Sequence, residues 1–409
     1  MILNHRGREA LNASHSRRNV PLGALRAVLT LLVVAHHAFL AYHPWAPAPA
    51  TSLIAEPRFW AAFPIVDTQR SQGIDLLIGW NDTFFMSLLF LLSGLFAWPS
   101  LVRKGARGFF RDRLIRLGLP FLVAAGLLAP LAYLPTYLAA VRHGAPQPGS
   151  FLDQWFALGT WPAGPAWFLW VLLAIGGAAA IAYRVAPGWG TVLGRWSGRL
   201  SGRPALYFAA LVAASAAAYL PLAAAFRPET WLHFGPCWIQ ISRALHYTVY
   251  FAAGAGLGAF SLDRGLLDPR GKLARRWPLW GIAAAISFAA GIVALLAILD
   301  SFPSGGPSFA LTTAGNLTFV LCCGLTSFAV LAIFLRFARH SNRWLDSLTA
   351  NAYGIYLLHY VGVSWLQLAL LDTPARGAVK GLVVFLGAVA ASWGATALLR
   401  QMPAVARVL

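Results

Sequence analysis

The chain has 409 residues, 58% of them hydrophobic and 11% charged, with a mean hydropathy of +0.64. Soluble domains carry about a quarter charged residues, so this balance excludes a soluble fold. The net charge of +19 sits in short stretches between apolar runs. That placement argues against a nucleic-acid-binding face and for basic loops that orient a membrane protein.

Apolar runs of membrane-spanning length recur near 22–43, 81–101, 117–141, 166–183, 205–225, 238–260, 278–299, 311–335, 348–370 and 378–399. They predict an all-α, polytopic membrane protein of about ten transmembrane helices, embedded in the lipid bilayer. Arg17 and Arg18 before the first run and Ala46-Pro47-Ala48 after it have the outline of a signal peptide. The run is nevertheless longer than the roughly 7–15 apolar residues of such a peptide, and it reads as a retained span.

Charge counting gives the layout a direction. With the N-terminus inside, 24 Lys and Arg fall on inside segments and 6 on outside loops, Arg58, Arg70, Arg142, Arg227, Arg376 and Lys380; Arg26 and Arg243 fall within spans. The positive-inside rule then puts both termini in the cytoplasm. The expected organisation is a tail over 1–21, one transmembrane domain over 22–400 and a short tail over 401–409.

The first span, LGALRAVLTLLVVAHHAFLAY, carries Arg26, His36 and His37. Ionisable groups inside hydrocarbon face a protein interior or a watery site. Eleven residues of helix turn through about 1100°, so Arg26 and His37 share a face, roughly 16 Å apart along the axis, while His36 lies about 100° away. A neutral imidazole with a pKa near working pH can serve as general base towards a hydroxyl.

After span 2, RKGARGFFRDRLIRLGLP forms the densest basic cluster, with Arg111, Arg113 and Arg116. It either fixes orientation against lipid headgroups or binds a phosphorylated cytoplasmic ligand, which arginine forks suit. The outside stretches 44–80 and 142–165 hold Trp45, Trp60, Trp80, Trp155 and Trp161, either an interfacial belt or a lid over an external acceptor site. Arg243 and His246 form a second polar patch near the outer end of span 6, and His359 lies midway through span 9 among Tyr353, Tyr356 and Tyr360. Cys237, Cys322 and Cys323 have no metal-ligand spacing and read as small hydrophobes; no metal site is expected.

Five stretches together resemble the membrane-bound acyltransferase-3 family, closest to its glucan-biosynthesis C-like branch. They are LGALRAVLTLLVVAHH with Arg26 and His37, FMSLLFLLSG from Phe85 to Gly94, FFRDRLIRLGLP with Arg113, Arg116 and Pro120, GPAWFLWVLL around Trp167, and NAYGIYLLHY ending near His359. Ala352 stands where the family often has Ser, and Leu89 replaces one Phe of a Phe-Phe pair.

The resemblance implies an acyltransferase in the inner, cytoplasmic membrane. The acyl donor would be acyl-CoA, as acetyl-CoA or succinyl-CoA, and the acceptor an extracytoplasmic carbohydrate or glycan hydroxyl. His37 and Arg26 are then the expected catalytic residues, Arg111, Arg113 and Arg116 the CoA-binding ones, and Trp167, Arg243, His246 and His359 candidates for substrate binding. His37 would act either as base or as acyl relay. A transporter or flippase of a glycan or lipid-linked intermediate is the alternative that intramembrane charge also suits.

Overall fold

A computed structural model describes residues 19–409; the expected tail, with its four arginines, lies outside the described residues up to position 18. The main helices are α1 (Val20–Leu40), α2 (Ile74–Leu95), α3 (Ala97–Arg142), the short α4 (Phe151–Ala157), α5 (Trp167–Val185), α6 (Trp189–Leu200), α7 (Pro204–Phe226), α8 (Ile241–Phe260), α9 (Trp277–Ser301), α10 (Phe309–Phe337), α11 (Arg343–Leu370) and α12 (Gly377–Leu399). Each expected apolar run maps onto one of them, with ends displaced by several residues. A two-stranded antiparallel hairpin, Trp231–Phe234 with Cys237–Gln240, precedes α8.

Eight helices among the described residues are long and apolar enough to cross a membrane: α1, α2, α3, α5, α7, α9, α10 and α12. α8 and α11 are of similar length, 20 and 28 residues. Their composition is more polar, with Ser242, Arg243 and His246 on one and Asn351, His359 and Gln367 on the other. Both pack within the bundle, α8 against α2 and α7, α11 against α1 and α12.

The basic stretch 102–116, expected as a loop, is helical. α3 starts before it, bends at Gly105 (φ 69°, ψ 171°), where a residue without Cβ is needed, and continues to Arg142 through π-turns at Leu114–Gly118 and Ala124–Leu128. Prolines explain how α3 and α11 are joined. Pro120 has no N–H for the carbonyl of Arg116, four residues back, and the Tyr353 hydroxyl donates to that carbonyl. Pro135 likewise leaves the Leu131 carbonyl to the indole N–H of Trp365, at 2.9 Å.

α2 and α8 touch backbone to backbone. A Cβ added at Gly94 would lie 2.1 Å from the Phe251 carbonyl oxygen, and one at Gly254 would lie 2.0 Å from that of Leu91. Only glycine permits so close an approach, as in small-residue helix pairs of membranes.

The two ends of the bundle differ. At the end where α1 begins, the Asn19 side chain caps that helix and donates to the Leu262 carbonyl at 2.7 Å, and Arg339 donates to the Pro269 carbonyl at 3.2 Å. The basic stretches gather here. At the opposite end the segments 41–73 and 143–166 lace into a cap. The Trp60 indole donates to the Leu53 carbonyl (3.0 Å), Leu53 N–H to Gln154 (2.8 Å) and Arg58 to the Leu158 carbonyl (2.7 Å). Trp155, Trp60 and Tyr133 are buried there, so these aromatics form a packed cover.

Lys380, expected on an outside loop, is 1% exposed and bonds at 2.8 Å to the carboxylate of Asp67, which is also buried. The pair ties the first cap segment to α12.

Candidate active site

α1 and α11 pack together so that His37 and His359, 322 residues apart in sequence, meet with His37 Nδ1 3.2 Å from His359 Nε2. Two carbonyls determine the protons. His359 Nδ1 lies 2.6 Å from the Tyr356 carbonyl. A carbonyl only accepts, so Nδ1 carries the hydrogen and, in the neutral ring, Nε2 is an acceptor. His37 Nδ1 lies 2.8 Å from the Val33 carbonyl and is protonated by the same logic, its hydrogen shared with His359 Nε2. In the neutral ring the remaining lone pair is on His37 Nε2, for which no protein hydrogen bond is formed among the described residues. The result is a base held in one tautomer by a second imidazole.

The surroundings hold this geometry. Gln367 donates to the carbonyls of His37 (3.0 Å) and Ala38 (3.2 Å), two acceptors that the last turn of α1 leaves without helical donors. Tyr360 meets the His37 ring edge-on, with centroids 5.0 Å apart. With Tyr356, Ala124, Ala129, Ala163 and Ala166 it also lines an apolar cleft beside the dyad.

At the basic end, Arg26 is exposed and donates to the Thr349 carbonyl at 3.1 Å. Thr349 and Tyr353 are one turn apart on the same face of α11, and Tyr353 bonds the Arg116 carbonyl. Arg113 lies over the Phe109 ring at 5.0 Å, its stem near Gly176 of α5, within electrostatic reach of Tyr353 and Arg116. Arg26, Arg113 and Arg116 thus surround one stretch of α11. Arg111 is exposed on the flank of α3.

The other candidates form a separate group. Arg243 makes a bidentate ion pair with Asp82, at 3.0 and 2.7 Å, and covers the Phe319 ring at 4.8 Å. His246 is 0% exposed, with Ser215 Oγ 2.6 Å from Nδ1 and Ser87 Oγ 2.9 Å from Nε2. Both ring nitrogens are engaged, so His246 joins α2, α7 and α8. Trp167 stacks on Tyr247 at 5.8 Å, the residue that follows His246. The three cysteines are free, and no cluster of metal-ligating side chains occurs among the described residues.

Sequence reasoning missed Asp82, Gln367 and the pairing of His37 with His359. Asp82 had a usable signal, since an acid in one apolar run and an arginine in another have reason to pair.

Residues 21–398 match the family model described as an acyltransferase domain. The chain belongs to the acyltransferase-3 family. That match covers the span from α1 to the end of α12 and includes both histidines of the dyad. No curated protein and no solved structure gives a significant match. As a family member with this set of apolar helices, the protein is a multi-pass membrane acyltransferase.

Proposed function

We propose that this acyltransferase, of the glucan-biosynthesis C-like branch, moves an acetyl or succinyl group from cytoplasmic acyl-CoA to a hydroxyl of an extracytoplasmic carbohydrate. It does so from the inner membrane with ten spans and both termini in the cytoplasm. The observation that carries the chemistry is the chain from the Tyr356 carbonyl through His359 to His37, which presents His37 Nε2 as an unprotonated base.

In the step proposed, His37 Nε2 takes the proton of the acceptor hydroxyl as its oxygen bonds to the thioester carbonyl carbon. Collapse of the tetrahedral intermediate breaks the carbon–sulfur bond, and the departing CoA thiolate recovers the proton from Nε2. The imidazolium formed in between is stabilised through its Nδ1–H by the Val33 carbonyl and His359. His359 is accordingly a positioning residue, working as the third group of a triad does.

The donor enters at the other end. Arg26, Arg113 and Arg116, with Arg111 at the flank, offer charge-assisted hydrogen bonds to CoA phosphates. The pantetheine arm then covers the roughly 16 Å of helix between Arg26 and His37. The strong basic bias of that end supports its cytoplasmic placement.

The test uses membranes containing the protein and labelled acyl-CoA, with envelope glycans analysed by mass spectrometry from cells with and without it. Wild type should release CoA and leave an acyl mass on a glycan. Transfer that persists undiminished in His37→Ala would sink the assignment of the base, and unchanged glycan masses would sink the assignment of the acceptor.

A further inference from the structure

About 100° round α1 from the His37–His359 contact, four helices converge on a small polar recess. His36 is stacked on Phe85 of α2, with centroids 5.4 Å apart and planes 22° apart. Asp82 lies three residues before Phe85, hence on the same face of α2, and within electrostatic reach of His36. Arg243 reaches Asp82 from α8, and Phe319 of α10 lies beneath the guanidinium. Asn81 donates to the Leu32 carbonyl at 2.8 Å, one turn before His36.

Two observations set this group apart from a structural ion pair. Three of its polar atoms, His36 Nδ1, Asn81 Oδ1 and Arg243 Nε, are buried and have no hydrogen-bond partner, an arrangement native proteins avoid unless something else satisfies the group. The Asp82 side chain, by contrast, is 46% exposed while Arg243 is 13% exposed, so the carboxylate opens the recess and the guanidinium closes its back. The recess lies at the depth of the dyad. Arg243 stands at the start of α8, Asp82 at the ninth residue of α2 and His36 near the end of α1, all in the halves towards the aromatic cap.

We infer that Asp82, His36 and Asn81, backed by Arg243, form the subsite that holds the acceptor sugar while His37 takes its proton. This rests on the acyltransferase reading above. The chemistry selects a neutral polyhydroxyl ring. The ion pair has no net charge to attract an anion, the carboxylate and amide oxygens accept from hydroxyls, and an imidazole offers either role. His36 and His37 rings are 5.3 Å apart, close enough for one sugar bound at His36 to direct a hydroxyl towards His37.

The experiment is saturation-transfer NMR with maltoheptaose, a neutral oligosaccharide, on the full-length protein in detergent without acyl donor. Wild type and His37→Ala should both receive saturation, and His36→Phe should lose at least five-fold in apparent affinity. His36→Phe keeps the ring stack on Phe85, so it decides the matter should Asp82→Asn fail to fold. Equal binding by wild type and His36→Phe, or no binding by wild type, overturns the subsite. Acyl-CoA turnover separates the two readings. Binding that depends on His36 with no acyl transfer would leave the subsite and remove the chemistry. Transfer with an acceptor KM unchanged in His36→Phe would do the reverse.

Discussion

The two ends of this bundle use charge in opposite ways. At the basic end the charged groups are exposed or partly so, and they touch the fold lightly. Arg26 makes a bond to a backbone carbonyl, Arg339 another, and Arg111 and Arg116 stand towards solvent. At the aromatic end exposed ion pairs such as Arg142–Asp372 and Arg227–Glu229 are present too, but one pair is withdrawn. Asp67 and Lys380 bond to each other in the interior, and loops that would ordinarily be mobile are pinned by indole and amide bonds to backbone carbonyls. Exposed charges contribute about 0–1 kcal/mol to stability, so the basic end is available for binding at little cost to the fold. A buried pair cannot lose one member cheaply, so the aromatic end is committed to shape. The difference is what the proposed function asks for, an anionic donor taken up at the basic end and an acceptor entrance at the other.

The contrast can be broken or sharpened by experiment. The largest effect should come between the ends, at the dyad. His37→Ala should lower acyl transfer by about 10²–10⁴-fold, the range for a lost general base, in an assay of labelled acyl-CoA. His359→Gln should lower kcat with an unchanged KM for acyl-CoA, because it disturbs the tautomer and leaves the donor site alone.

Next in size is Lys380→Ala, which strands the Asp67 carboxylate in the interior. A stability loss of about 3–5 kcal/mol is expected, read as a lowered unfolding midpoint in detergent, with recovery in Lys380→Met combined with Asp67→Leu. At the basic end, Arg116→Ala should raise the KM for acyl-CoA about 10- to 10²-fold, as roughly 1.5–3 kcal/mol for a hydrogen bond to a charged group implies, while leaving the midpoint in place. If Arg116→Ala lowers the midpoint as far as Lys380→Ala does, the contrast between the ends is wrong.

The smallest effect is at the start of α4. Asp153 and Ser150 form a reciprocal cap, and the bonds from Ser150 hold the Asp153 carboxyl below its ordinary value. Its contribution is present above the ordinary carboxylate range and is lost as pH falls through the lowered pKa. Acidification should therefore loosen α4 slightly in amide exchange, and Ser150→Ala should flatten that dependence.

The sequence carried eight of the helices well because each of those apolar runs is its own signal: length and hydropathy alone locate them. It also carried Arg26 and His37, since helical spacing puts them on one face. What it could not supply was contact between distant runs. Nothing in NAYGIYLLHY says that His359 turns towards His37 or that Tyr353 takes the carbonyl Pro120 leaves free. Lys380 looked like a loop charge because its partner, Asp67, lies 313 residues earlier. The basic stretch after α2 was legible as charge but not as helix, because arginines that mark a loop between spans are also good helix formers.

The glycine contact between α2 and α8 bears on how charge is met inside the bundle. α8 carries Arg243 and His246 and is less apolar than the eight helices long and apolar enough to cross a membrane, and Gly94 and Gly254 let it lie directly against α2. In the folded bundle Asp82 of α2 pairs with Arg243, so the charge at the start of α8 is met by a helix that precedes it by about 150 residues. One acid thus has two neighbours: the carboxylate that neutralises Arg243 also lies within electrostatic reach of His36.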